Sequence, residues 1–198
     1  PLGEGCPKMN SDIDQTVYML GMLSGLQAMT NDINSGGAVH VPKDIAAIVE
    51  RGMTCLNNEK FWGAPEATRA VIWTLLPGAG DGKPDPYQTL KQSMQIGENK
   101  GVRLSHALYA VAAQASGEDA KIRDALKAFA HARSDEKPVN PQFKLIDAMA
   151  ASMVQGISDR YWTEHTGVRT GDQQRFWDEQ DNSSELDDLF NEDTAAQL

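Results

Sequence analysis

An all-α protein of about seven helices is the fold this sequence predicts, and three observations predict it. Apolar residues recur every three or four positions along most of residues 11–165, the spacing of one helical face. Most of these runs are opened by a capping residue or a proline. The strict apolar–polar alternation of a half-buried strand is not found.

The chain has 198 residues, 40% of them apolar, with 18 Lys plus Arg against 28 Asp plus Glu. That length holds one domain or two small ones, and the apolar content argues for a packed core. No run approaches the ~18 consecutive apolar residues of a membrane-spanning helix. The formal charge of −10 opposes binding to a phosphate backbone, so nucleic acid is not an expected partner.

Residues 1–10 read as an N-terminal arm. Its Pro1-Leu2-Gly3 looks like a cloning remnant, so a signal peptide once ahead of it would not be seen. Ser11 and Asp12 then open the first helix, with Ile13, Val17 and Leu20 on one face. Gly21, Gly25 and Ala28 form a stripe of small residues. Glycine inside a helix costs ~1 kcal/mol against Ala, so Gly21 and Gly25 are expected to mark close packing of another backbone. Val41-Pro42 starts the second helix, with Ile45, Ile48, Val49, Gly52 and Leu56 at helical spacing. Ala64-Pro65-Glu66 begins the third, which Pro77 stops.

The Gly- and Pro-rich stretch 78–86 reads as a linker between a helical domain over 11–77 and a second helical subdomain over 87–165. Asp85-Pro86 caps the fourth helix ahead of Tyr87, Leu90 and Met94. Leu104, Leu108, Val111, Ala112 and Ala115 make the clearest amphipathic stripe of the chain. Glu118 and Asp119 complement the dipole of a sixth helix bearing Ile122, Leu126 and Phe129. Asn140-Pro141 caps the last, with Ile146, Met149, Ala150, Met153 and Ile157 expected inward.

Chemistry-bearing motifs are few. HExxH, a P-loop, GxGxxG and GxSxG are all absent, and no histidine has a second histidine or a cysteine at i+3 or i+4 that could complete a metal site. His106, beside an apolar stripe, reads as a structural histidine, and Trp73 as core. No catalytic residue, metal or cofactor is assigned, and an enzyme is not expected.

Two cysteines, Cys6 and Cys55, form no CxxC. Cys55 reads either as a small buried hydrophobe or as the partner of Cys6. A Cys6–Cys55 bridge would close a loop of about 50 residues, contribute ~3–4 kcal/mol, and argue for an oxidising space such as the periplasm.

The charge is concentrated at the C-terminal end. Gly171 to Leu198 holds nine acids against Arg175 alone, leaving a net −2 for the rest. Residues 166–198 therefore read as a flexible acidic tail. It carries the apolar anchors Phe176, Trp177, Leu186, Leu189 and Phe190, candidates for partner binding. Leu186, Leu189 and Phe190 fall at i, i+3, i+4, one face of a short helix. The other reading is a solubilising tail whose aromatics fold back onto the body.

Three motifs carry a family resemblance: the glycine-spaced helix YMLGMLSGLQAM with Gly21 and Gly25, the helix entry VPKDI at Val41 to Ile45, and CLNNEKFWGAPEATRAVIWTLLP from Cys55 to Pro77. In these the first half resembles the small periplasmic immunity proteins that neutralise type VI secretion peptidoglycan amidases. The family's own cysteine positions hold Ala38-Val39-His40 and Gly78-Ala79 here, so its disulfide pattern does not transfer. The resemblance implies an all-α fold and a protein-binding role in the periplasm. Two function classes are expected. One is an exported inhibitor, immunity protein or secretion-system component, for which a partner with a basic surface would suit the acidic segment. The other is a cytosolic adaptor or chaperone of a secretion or phage assembly machine that docks through its acidic-aromatic tail.

Overall fold

The computed structural model describes residues 5–133, 138–167 and 169; among these are seven α-helices, one 3-10 turn and no strand. Helix α1 (Asp12–Asn34) begins with a reciprocal cap: the Ser11 hydroxyl accepts from the Asp14 N–H, and the Asp14 carboxylate accepts from the Ser11 N–H. At its other end the buried Asp32 carboxylate accepts the main-chain N–H groups of Val39 and Val41 at 2.7 and 2.9 Å. That clasp orders the glycine-rich loop leading to α2 (Ile45–Met53).

Between α2 and α3 (Ala64–Leu75) the chain turns sharply, with Trp62 at φ 56° and Gly63 at φ 77°. The turn buries Trp62, whose ring centroid lies 4.5 Å from that of Phe143. At Gly63 a Cβ would stand 2.4 Å from the Ser93 carbonyl oxygen, so only glycine lets the turn sit against α4 (Pro86–Lys100).

Helix α5 (Leu104–Ser116) is the axis of the fold. Every residue from Leu104 to Ala110 is buried, and it packs against α3, α4, α6 (Asp119–Ala132) and α7 (Lys144–Thr166). A helix buried nearly all round sits inside a bundle and gets its stability from packing. Asn140 caps a 3-10 turn at Pro141–Phe143, and α7 follows it directly.

The junction of α5, α6 and α7 is fixed by a buried ion pair. Arg103 donates through Nε and Nη2 to the two oxygens of Asp147, at 2.6 and 2.7 Å, and through Nη1 to the Ala132 carbonyl at 2.8 Å. Its main-chain N–H also reaches Asp147 Oδ1.

Residues of α1 through α7 contribute to a single hydrophobic core. Because α3 packs on both α4 and α5, the stretch 78–86 connects helices of that core and does not separate two domains at 11–77 and 87–165. The expected close packing at Gly21 and Gly25 is also corrected. A Cβ on Gly21 would meet nothing within 4 Å, and one on Gly25 would make an ordinary 3.5 Å contact with Ile45. Close backbone approach occurs instead at Gly97, where a Cβ would lie 2.5 Å from the Val102 carbonyl oxygen.

Cys6 and Cys55 are joined by a disulfide with Cα atoms 5.5 Å apart, tying the N-terminal arm to the end of α2. No helix among the described residues is long and apolar enough to cross a membrane.

Candidate functional site: the cleft between α1 and α7

Helix α1 packs chiefly on α2, and α2 on α3, while α7 packs on α5. The first and last helices therefore face each other across an open cleft of about 1010 Å³. Leu20, Leu23, Leu26 and Met29 form the α1 wall, and Ile146, Met149, Met153 and Ile157 the α7 wall. The floor is Leu104, Leu108 and Val111 of α5, with Val71 and Leu75 of α3.

Further apolar side chains are exposed outside the cleft lining. Among the described residues, the large apolar side chains most open to solvent are Ile13, Val17 and Ile33 of α1, Val39 just after it, and Leu145 and Met149 of α7. Ile13 and Leu145 are 74% and 73% exposed. Isolated exposed apolar residues are ordinary; here five of the six lie on the two helices that flank the cleft.

Polar groups gather at one end, where Asp119, Arg160, Tyr161, Glu164 and His165 line the opening. The Tyr161 hydroxyl donates to Asp119 Oδ1 at 2.7 Å, and His165 Nε2 lies 3.2 Å from the same oxygen. His165 Nδ1 is 2.8 Å from the Tyr161 carbonyl, and its ring stacks on that of Tyr161 with centroids 4.2 Å apart. Burial, then the hydrogen bond to Asp119 and its charge, push the Tyr161 hydroxyl up to about 12, so it is a neutral donor near pH 7. Arg160 and Glu164 pair with each other at 2.9 Å. Both ring nitrogens of His165 are thus engaged, and the charged groups satisfy one another. The cluster gives the cleft a hydrogen-bonding rim beside an apolar trough.

Several sequence expectations meet the structure here. Met149 and Met153, expected inward, face the cleft; the inward stripe of α7 is Ile146, Ala150, Val154 and Ile157. Ile13, Val17 and Leu20 do share a face of α1, but Ile13 and Val17 are exposed and Leu20 lines the cleft. His106 is fully buried, with Nε2 3.0 Å from Glu98 Oε1, as a structural histidine should be. Trp73 is buried and donates its indole N–H to Glu50. No group of three or more His, Cys, Asp or Glu among the described residues is placed to hold a metal ion. Phe176, Trp177, Leu186, Leu189 and Phe190 lie outside the described residues.

The sequence reading missed the cleft, although a signal was present. From Gln15 to Asn31 there is no charged residue, so α1 has no face that must be solvated. Compared with family models, curated proteins and solved structures, the chain matches none.

Proposed function

We propose that this is a non-enzymatic protein-binding protein of an oxidising compartment, and that it takes an apolar helical segment of a partner protein into the α1/α7 cleft. The observation that carries the reading is the cleft itself: α1 and α7 both line it with apolar side chains, over an apolar floor. An open trough of this kind suits a helix laid in a groove, which anchors through side chains at i, i+3, i+4 and i+7. Its volume of about 1010 Å³ compares with ~120–170 Å³ per residue for a helix 10–12 Å across, or roughly two turns. The disulfide supports a location such as the periplasm, since such bonds persist where thiols are not kept reduced. An inhibitor, immunity protein or secretion-system component is the role that joins these features to the family resemblance.

The test is calorimetric titration of the full chain with amphipathic helical peptides of differing charge. At least one should bind with a negative heat-capacity change, the mark of apolar burial. Met153→Glu places a charge on the α7 wall and should weaken that binding about tenfold or more, with far-ultraviolet circular dichroism showing that the variant remains folded at the titration temperature. Equal affinity of Met153→Glu and wild type would refute the site.

A further inference from the structure

We propose that the free protein fills this cleft with its own C-terminal segment Glu185–Phe190, so that an external helix must displace it. The inference rests on the cleft being a helix-binding site and deepens that reading by naming its resident competitor.

Three observations point to this occupant. The first is where the described chain stops: α7 ends at Thr166 with Gly167 as its cap, and His165 and Glu164 already line the cleft opening. The chain therefore leaves α7 beside residues that line the site. The second is length. Nineteen peptide units run from Gly167 to Leu186. As a coil these span ~24 Å, from 5–6 Å times the square root of their number. The α7 wall from Ile146 to His165 is 19 rises of 1.5 Å, or ~29 Å. A tether of this length can bring Leu186 to any point along the α7 wall, and a ligand so tethered reaches an effective concentration in the millimolar range.

The third is pattern. Leu186, Leu189 and Phe190 share one face, while Glu185, Asp187 and Asp188 fall off it. Six helical residues occupy roughly 700–1000 Å³ as a cylinder 10–12 Å across, against about 1010 Å³ in the cleft. Two leucines and a phenylalanine match the Leu and Met walls, and the acidic side remains in water. With a net charge of −2 over residues 1–170, the body opposes this docking only weakly.

Hydrogen exchange on the full-length protein tests the inference. Amides 186–190 should exchange about tenfold more slowly than an unstructured chain, independently of protein concentration. Met153→Glu in the cleft, and separately Leu189→Asp with Phe190→Asp in the tail, should each remove that protection. The tail variant should also bind the helical peptide about tenfold more tightly than wild type. Unprotected amides in the wild type would overturn the inference, as would protection that survives Met153→Glu or rises with concentration, the last showing a second copy's tail. If the tail is unprotected yet the peptide binds and Met153→Glu weakens it, the competitor falls and the cleft stands. If no peptide binds either wild type or the tail variant, the helix-binding reading falls and this inference with it.

Discussion

The Arg103–Asp147 pair joins the floor of the cleft to one of its walls, and removing one partner should be costly. Arg103 is 3% exposed and precedes Leu104 and Leu108 of the floor; Asp147, also 3% exposed, lies between Ile146 and Met149 of the wall. Asp147→Ala deletes the acceptor of Nε, Nη2 and the main-chain N–H, and takes the Asp147 charge away from a buried guanidinium. Breaking a buried pair from one side costs about 3–5 kcal/mol, because the surviving charge keeps its desolvation penalty and loses its attraction. For a chain of this size 1 kcal/mol corresponds to ~2–4 °C in melting temperature, so the expected drop is roughly 6–20 °C. Urea unfolding followed by far-ultraviolet circular dichroism measures it, with the disulfide intact in every variant. Arg103→Met combined with Asp147→Leu supplies the control: it removes both charges at similar volume and should recover most of the loss. A cost below about 1 kcal/mol for Asp147→Ala would refute the reasoning. So would a double variant as unstable as the single one.

Two glycines inside helices should respond in opposite directions. Gly21→Ala, with open space around it, should stabilise by about 0.5–1 kcal/mol through helix propensity. Gly97→Ala should destabilise by about 1–3 kcal/mol, because the new Cβ meets the main-chain oxygen of Val102. Thermal melts of the two variants side by side check the contrast. Glu50 predicts an acid limb. Burial would raise its carboxyl, but the hydrogen bond and charge of Arg69, the Trp73 indole and Lys83 outweigh it and hold the group below its ordinary 4.5. A carboxyl depressed in the folded state contributes stability that is full above the unfolded value and is lost as pH falls through the folded one. Glu50→Gln should therefore lower the urea midpoint at pH 7 and narrow its fall between pH 5 and pH 3; an unchanged acid limb contradicts this. Reducing Cys6–Cys55, 49 residues apart, should cost about 4 kcal/mol on the chain-entropy model, seen as a lower urea midpoint with reductant.

The helices were legible because local signals and tertiary packing agree. Ser11 and Asp85 each accept a main-chain N–H at the start of the helix they were expected to open, whereas Asn140, expected to cap the last helix, caps the 3-10 turn ahead of it. Pro65 and Pro86 occupy first-turn positions, and the Leu104, Leu108, Val111 and Ala112 stripe became the central helix. The candidate site was less legible because a cleft depends on which helices do not meet, and no local pattern encodes that. Gly21 and Gly25 show the difficulty. Their i, i+4 spacing is what close helix packing uses, yet the neighbour that would need that space is absent at Gly21. At Gly97 the demand comes from the chain doubling back at Val102, which spacing along one helix does not reveal.

Leaving the outer face of α1 uncovered has a thermodynamic consequence. Fully burying a side chain such as Leu contributes about 1.5–3 kcal/mol, so closing α1 onto α7 over Leu20, Leu23, Met149 and Met153 would bring several kcal/mol. The fold forgoes this because α1 is held by other means. The Cys6–Cys55 bond anchors the arm before it, Lys60 Nζ reaches Asp12 and Gln15 at 2.7 and 2.9 Å, and Asp32 clasps the loop after it. Met19, Leu26 and Met29 meanwhile bury its inner face. These ties act at the ends and inner side of a helix ~34 Å long and hold its outer side at a distance from α7. On the proposed helix-binding function, the burial energy of these walls is available to whichever segment, the chain's own or a partner's, docks between them. If the cleft binds a helix as proposed, reducing the Cys6–Cys55 bond, which anchors the arm ahead of α1, is expected to weaken that binding as well as lower stability, and titration with the helical peptide in reductant measures it.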